Sequence, residues 1–304
     1  MHETSKLKQR ICFIINPVSG RLRHKNIVGQ INDGIDKQKF EISIKFTEAG
    51  GHAKLLCQEA LENKFNIIVA VGGDGTINEV ASQMLYSECI LGIIPGGSGN
   101  GLARHLDIPL SVKKAIQLIN ESYHIKIDTA KVNDQIFISI AGIGFDALVA
   151  KEFAGSKKRG FITYSKIVAT RFLKYKPKKY KLTFEDGTVI KTRALFIAFA
   201  NSNQFGYNTQ IAPNALLNDG KLDICIAQKP PLVEMPIIAN LMLLKKIDKS
   251  PHVLIIQSSS VIVERSRNSV VNIDGEPMKI KTKLNVKVEP QSLNIIIPKN
   301  GQKR

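Results

Sequence analysis

The stretch Asn66-Ile-Ile-Val-Ala-Val-Gly-Gly-Asp-Gly-Thr76 decides the fold. Residues 66–71 form an apolar strand that runs straight into three glycines around one aspartate, and a helix is expected over 77–86. The surrounding chain repeats the pattern. Strands are expected at 11–15, 40–46 and 90–94. Helices are expected from the end of a polar loop (16–23) to about residue 36, and over 52–63. A second glycine-rich turn, Pro95-Gly-Gly-Ser-Gly-Asn-Gly101, closes the run. Strict alternation of strand and helix argues for an α/β domain whose parallel sheet is covered by helices on both faces. Ligands of such sheets bind at the carboxyl ends of the strands, where both glycine-rich turns fall.

After about Asp128 the texture changes. Segments 135–140, 180–184, 188–200, 221–227, 252–263, 269–273 and 283–288 are short and rich in Ile, Val and Thr, and Asp-Gly turns at 186–187, 219–220 and 274–275 separate several of them. They predict a mainly antiparallel β-sandwich or squashed barrel. The expected organisation is an α/β domain over 1–128 and a β-rich domain over 129–291, with a strand at about 292–298 free to return to the first.

Composition narrows the class. Of 304 residues, 43% are hydrophobic and 23% charged, which excludes a disordered or collagen-like chain. Cys12, Cys57, Cys89 and Cys225 form no CxxC pair, so they are expected as reduced, buried thiols, and zinc is not expected. The first residues, MHETSKLKQR, lack an apolar signal core, and the longest apolar run, 235–244, is broken by Pro236 and Asn240. It falls short of the about 20 residues a membrane-spanning helix needs, so a cytoplasmic protein is expected.

The net charge of +17 is unevenly placed: residues 1–150 hold 16 basic and 15 acidic side chains, residues 151–200 hold 13 and 3. Ten basic residues and no acid lie between Lys157 and Lys181. Such a block is either a solvated face or a surface drawn to nucleic acid or anionic membrane. Within it Phe161, Tyr164, Val168, Phe172 and Tyr175 recur at helical spacing with Lys166, Arg171 and Lys174 between them. That pattern suits a basic amphipathic helix in a lipid interface, and it equally suits core packing. No tryptophan, 6% aromatic residues and no recognition motif speak against specific nucleic-acid binding.

Three small-residue turns carry the chemistry. In Gly72-Gly-Asp-Gly-Thr76 the glycines let backbone amides approach a phosphate, and the following helix N-terminus adds favourable partial charge. An aspartate there makes sense if Asp74 meets a nucleotide through Mg²⁺ or takes a proton from a hydroxyl. In the second turn Ser98 and Asn100 are able to donate to phosphate oxygens. Asn16-Pro-Val-Ser-Gly20 is the third. No Gly-Lys-Ser/Thr follows any of them and GxGxxG is absent, so this is neither a P-loop nor a dinucleotide fingerprint.

The blocks VGGDGTINEV (71–80), IPGGSGNGLARHL (94–106), AGIGFDA (141–147), APNALLNDGKLDI (212–224) and NIDGEP (272–277) together resemble the signatures of the diacylglycerol kinase catalytic-domain family. That family includes bacterial soluble lipid kinases and the sphingosine and ceramide kinases, and the resemblance runs from Asn16 to Pro298. GGDGT alone is shared with NAD kinases and phosphofructokinases. The resemblance implies a fold like that of NAD kinase and diacylglycerol kinase, with a nucleotide-binding domain and a lipid-substrate domain, and an ATP-dependent lipid kinase with a place in phospholipid biosynthesis.

By motif match, ATP contacts fall on Asn16, Pro17, Val18, Ser19, Gly20, Thr47, Gly72, Gly73, Asp74, Gly75, Thr76, Ile77, Asn78 and Ser98. Asp274 and Glu276 match the family's Asp-Gly-Glu motif, with Glu276 at the place of the proton acceptor. Branches of the family differ on whether this acid or the one matching Asp74 is the base. The segment 216–221 resembles a structural Mg²⁺ loop, with Asp219 giving a carboxylate and Leu216 and Lys221 their carbonyls. Asp128 matches an acid associated with catalytic Mg²⁺, and Asp146 is placed to face the acceptor headgroup.

Bacterial members usually carry Gly-Thr-x-Asn-Asp in the second turn. Here Ser98 keeps the hydroxyl, whereas Gly101 removes a carboxylate, as in the sphingosine and ceramide kinase branch. The implied partners are ATP and a lipid acceptor, diacylglycerol or sphingoid, at an anionic membrane surface, which the protein would visit peripherally from the cytoplasm. A homodimer is compatible with this reading. The competing readings are a kinase of a soluble acceptor such as NAD and a non-catalytic module binding anionic membrane or nucleic acid.

Overall fold

The computed structural model describes residues 8–20, 22, 26–156, 160–206 and 209–299. Most of the loop 21–25 and the basic residues Lys157, Lys158 and Arg159 lie outside the described residues. The chain divides into two compact units, one built from residues up to Lys126 and from Ser292 onward, the other from Ile127 to Gln291.

The first unit is an α/β layer structure. Strands β1 (Gln9–Ile15), β2 (Phe40–Phe46), β3 (Ile67–Gly72) and β4 (Ile90–Pro95) lie side by side in the order β2-β1-β3-β4, all parallel. The connecting helices are α1 (Ile27–Gly34), α2 (His52–Glu62), α3 (Asp74–Ala81), α4 (Gly101–His105) and α5 (Val112–Glu121). Every residue of β3 is buried, as a strand covered on both faces requires. The helix after β3 starts at Asp74, inside the glycine-rich turn, three residues earlier than its apolar pattern predicts. Gly73 takes an extended conformation as N-cap, so the chain turns from strand to helix in one residue.

The second unit is built of antiparallel sheets. Its elements are β5 (His124–Val132), β6 (Gln135–Phe137), β7 (Ile140–Gly144), α6 (Phe145–Ala154), α7 (Phe161–Lys174), β8 (Lys178–Phe184), β9 (Val189–Ala194), β10 (Phe196–Ala200), β11 (Gln204–Gly206), β12 (Thr209–Gln210), β13 (Leu222–Ala227), α8 (Met235–Leu243), β14 (Val253–Ser258), β15 (Ser260–Arg265), β16 (Ser269–Ile273), β17 (Glu276–Ile280) and β18 (Lys283–Ile296). One sheet runs β14-β13-β10-β7-β16-β17, and β18-β15-β8-β9 belong to the other. Phe137, Ile143, Leu182, Phe199, Ile224, Val263 and Leu284 pack into the core of this unit. The end of β18 belongs to the first unit, where Asn294 and Ile295 pair in parallel with Ile90 and Leu91 of β4.

Two runs that read as single strands are each two. Residues 188–200 divide at Leu195 and residues 252–263 at Ser259, and in both cases the halves join different sheets. The basic amphipathic stretch is helix α7, and its apolar stripe packs inward: Tyr164, Val168 and Tyr175 lie against Phe145, Val149, Phe172 and Leu195. Four of its five residues are thus used in core packing, while Phe161 stays more than half exposed. No described helix is long and apolar enough to cross a membrane.

Candidate active site

Strands β1, β3 and β4 are parallel neighbours, so the turns that follow them emerge at one end of the sheet. There the three turns interlock. The Asn16 side chain donates to Thr76 Oγ1 at 3.1 Å, and its own oxygen accepts the amide of Val18, which shapes the 16–20 turn. The Gly96 amide donates to the Gly72 carbonyl. A Cβ on Gly97 would sit 2.7 Å from Cα of Gly73, and one on Gly96 would sit 3.0 Å from Ser19 Oγ. The glycines are therefore required by the approach of one turn to another, and the three form a single surface. Thr47 follows β2 and donates its amide to Ile15, which brings it to the same end of the sheet, buried.

Within this surface α3 presents its N-terminus with no side-chain cap, whereas the neighbouring helix ends are satisfied internally. Glu79 on α3 accepts the amides of Gly51 and Ala53 and so caps α2. Asp74 accepts the amides of Asn100 and Gly101 at 2.9 and 2.7 Å and so caps α4. Burial pushes the Asp74 carboxyl up, opposed by those two amides and by the charge of Arg104. Asp74 itself stands in the first turn of α3, and its carboxylate also takes its own amide. This helix end therefore joins the positive pole of the dipole to one negative charge, and an anion there would meet the remaining first-turn amides. Ser19 is buried beside Gly73 and Gly96, Ser98 is exposed, and Pro17, Val18 and Gly20 lie on the outer side of the first turn. Gly75 and Asn78 are half-buried in the first turns of α3, and Thr76 and Ile77 are buried, with Thr76 Oγ1 accepting the Asn16 side chain.

One expected phosphate donor is turned away. Asn100 is fully buried in a left-handed conformation, with its oxygen on the Gly97 amide and its NH₂ on the Gly97 carbonyl. It closes the turn. Glu79 and Arg104 are residues the sequence reading passed over. Nothing in the sequence links Glu79 to Gly51, whereas Arg104, whose Nε donates to the Gly99 carbonyl, was visible as the one arginine of the second glycine block.

In the second unit the Asp-Gly-Glu turn joins β16 to β17. Asp274 has φ +47° and its carboxylate accepts three amides, from Ile138, Ser139 and Ile140. It anchors the turn to the start of β7. Glu276, by contrast, is exposed at the first position of β17, opposite Ile273. Asn272 accepts the amide of Gly275 and donates to Asp146 Oδ2 at 2.9 Å, so the turn is tied to a second acid. Asp146 lies in the first turn of α6, packed so closely on Gly142 that a Cβ there would meet Oδ2 at 1.9 Å. Burial raises its pKa to about 6, offset in part by the hydrogen bond from Asn272.

Asp146 also lines a cavity of about 600 Å³. The other walls are almost all apolar, among them Phe145, Val149, Val168, Phe172, Ile211 and Met242. A volume of this size is in the range that holds a small-molecule ligand.

The loop between β12 and β13 carries Leu216, Asp219 and Lys221. Asp219 accepts the Lys221 amide with one oxygen, and its charge bears on Asp223, whose carboxyl is raised mainly by burial. Asp128, expected beside catalytic Mg²⁺, is buried and has one oxygen on the amide of Gly220 and the other on that of Gln291. Its amide donates to Leu217. It is an anchor of this loop. Among the described residues no group of three or more His, Cys, Asp or Glu side chains is placed to hold a metal ion.

A family model described as "Diacylglycerol kinase catalytic domain" matches residues 10–132, and one described as "YegS C-terminal NAD kinase beta sandwich-like domain" matches residues 139–297. The chain is similar to the diacylglycerol kinase of Bacillus subtilis (strain 168), 30% identical over 273 residues that cover 88% of this chain and 90% of that one. It is 27% identical to the diacylglycerol kinase of Staphylococcus carnosus (strain TM300), over 89% of each chain. Among solved structures, a diacylglycerol kinase from Bacillus anthracis str. Sterne matches with a TM-score of 0.75 at 22% identity, over 96% of this chain and 98% of that one. An NAD kinase from Archaeoglobus fulgidus in complex with ATP matches with a TM-score of 0.53 at 14% identity, over 96% of this chain and 95% of that one. These two likenesses show the fold.

Proposed function

The chain belongs to the diacylglycerol kinase catalytic-domain family, and from that premise we propose that it transfers the γ-phosphate of ATP to the hydroxyl of a membrane lipid, a diacylglycerol or a sphingoid alcohol. The observation that carries the lipid acceptor is the apolar cavity whose one acid, Asp146, is tied through Asn272 to the turn bearing Glu276. A soluble, highly polar acceptor such as NAD has no use for such walls.

In this reading the three turns of the first unit and the open end of α3 hold the phosphates of ATP. Asp74 keeps the second turn in shape for that task. The acyl part of the acceptor occupies the cavity and Asp146 takes a hydrogen bond from its polar end. Glu276, exposed and carried on an anchored turn, accepts the proton as the lipid oxygen attacks the γ-phosphorus and the bond to the ADP oxygen breaks. Asp274 positions that turn.

The donor set of the loop suits Mg²⁺. Leu216 and Lys221 would give carbonyl oxygens and Asp219 a carboxylate oxygen, all hard ligands, on a loop fixed by Asp128. Bound there, the ion would supply the positive charge that relieves the repulsion between Asp219 and Asp223.

The test is acceptor preference. With ATP fixed, kcat/KM should rise from a short-chain to a longer-chain diacylglycerol, while NAD should give no phosphorylated product. Turnover of NAD with indifference to acyl length would reject the lipid reading.

A further inference from the structure

Asn272 is the polar break in β16, between Val271 and Ile273, and all three are buried. A polar side chain buried in a strand is costly unless its groups are paired. Both ends of this one are. Its oxygen accepts the Gly275 amide at 2.8 Å, and its NH₂ donates to Asp146 Oδ2 at 2.9 Å. Because the Gly275 amide is a donor, the Asn272 oxygen has to face it, and the NH₂ is thereby aimed at Asp146. Turning the side chain over would set donor against donor at Gly275 and acceptor against acceptor at Asp146.

Space for the acid comes from a missing side chain. Asn272 stands opposite Gly142 of β7, and a Cβ on Gly142 would meet Asp146 Oδ2 at 1.9 Å. Gly142, Asp146 and Asn272, on three elements, thus form one constellation, and the Asn272 side chain ties it to the turn that carries Glu276. Asp146 Oδ1 takes no hydrogen bond among the described residues and Asp146 lines the cavity, so that oxygen is the one left for a ligand.

Charged groups stand on the elements around Asp146, and none of them shifts it. Helix α6 itself carries Lys151 and Glu152, and Glu152 is paired with Arg171 of α7. The rest of α7 brings Tyr164, Lys166 and Lys174, and β17 brings Glu276 and Lys279. Strands β7, β10 and β16 bring none. Across the cavity His252 is bonded to Glu234. The Asp146 carboxyl answers to burial, which raises its pKa to about 6, and to the Asn272 amide, which lowers it.

We propose that Asn272 is a positioning residue that couples capture of the acceptor to removal of its proton. One side chain holds Asp146 at the cavity wall and fixes the turn bearing Glu276, so the two acids keep one spacing. This rests on the roles given to Asp146 and Glu276 above.

Asn272→Asp separates the two bonds. One carboxylate oxygen still accepts the Gly275 amide, while the other replaces a donor and faces Asp146. Two adjoining acids share one proton at low pH and lose it as pH rises. With ATP and a short-chain diacylglycerol, the acceptor KM of Asn272→Asp should be within about threefold of wild type at pH 6 and at least about tenfold higher at pH 9, with kcat changing far less. The exchange variant D146N/N272D again sets an NH₂ against a carboxylate, and its KM at pH 9 should fall back toward wild type. Asn272→Leu loses both bonds and should lower kcat and raise KM together. In its melts the fall in stability should move to a pH above about 6, because the bond that lowers the Asp146 pKa is gone. A KM ratio that stays flat with pH in Asn272→Asp, or no recovery in the exchange variant, overturns the coupling role, while lipid turnover by the wild type keeps the kinase reading. A wild type that phosphorylates no lipid removes that reading and this role with it.

Discussion

In the proposed reaction Glu276 and Asp146 would divide the work that a lipid hydroxyl needs, and each role would have its own signature. Glu276→Gln should lower kcat by about 10²–10⁴ with unchanged melting temperature, because the side chain is exposed and the turn is held by Asp274. A wild-type rate would return the proton acceptor to Asp74. Asp146 has a raised pKa, so between the ordinary carboxylate range and about 6 the folded protein holds a proton that the unfolded chain has lost. Stability is therefore highest below that window and falls as pH rises through about 6, by about 3 kcal/mol at most. Asp146→Asn should abolish this fall in melts from pH 4 to 7 and raise the acceptor KM; a wild-type pH profile in the variant would contradict the assignment. The acids themselves were legible in the sequence. What each carboxylate binds was not, because Asp74, Asp128 and Asp274 are held by backbone amides far away in the chain, and a sequence shows no amide directions.

Among the elements, the glycine-rich turns behave as one part because they touch. Gly97→Ala would place a methyl against Gly73 and should cost about 1–3 kcal/mol in denaturant unfolding, with weaker ATP binding by titration calorimetry. Unchanged ATP affinity would mean that the approach of the two turns does not shape the nucleotide site. Glu79→Ala uncaps α2 and should cost about 0.5–2 kcal/mol in the same unfolding measurement. The parallel strands were read correctly because an apolar run followed by glycines has few alternatives. The runs 188–200 and 252–263 read as single strands because neither Gly nor Pro marks Leu195 or Ser259. The break is imposed by the two sheets that share the chain, and that is tertiary information.

At the level of the whole molecule, the two fold classes were visible in the change of texture near Asp128, whereas the cavity was not, since apolar walls are built from interchangeable side chains. Cys12, Cys57, Cys89 and Cys225 are all buried, and burial raises their pKa, to about 11 for Cys12 and about 12 for Cys57 and Cys89. A thiol reagent should therefore modify none of them in the native protein and all four in guanidinium, as counted by mass spectrometry. The central claim, phosphate transfer from ATP to a lipid hydroxyl, is tested most directly by incubating the protein with γ-labelled ATP and a total lipid extract, partitioning into chloroform and identifying the labelled species by mass spectrometry. The account predicts a labelled phosphomonoester of a lipid alcohol in the organic phase, lost with Glu276→Gln. Label found only in a water-soluble product, or remaining in ATP, would contradict it.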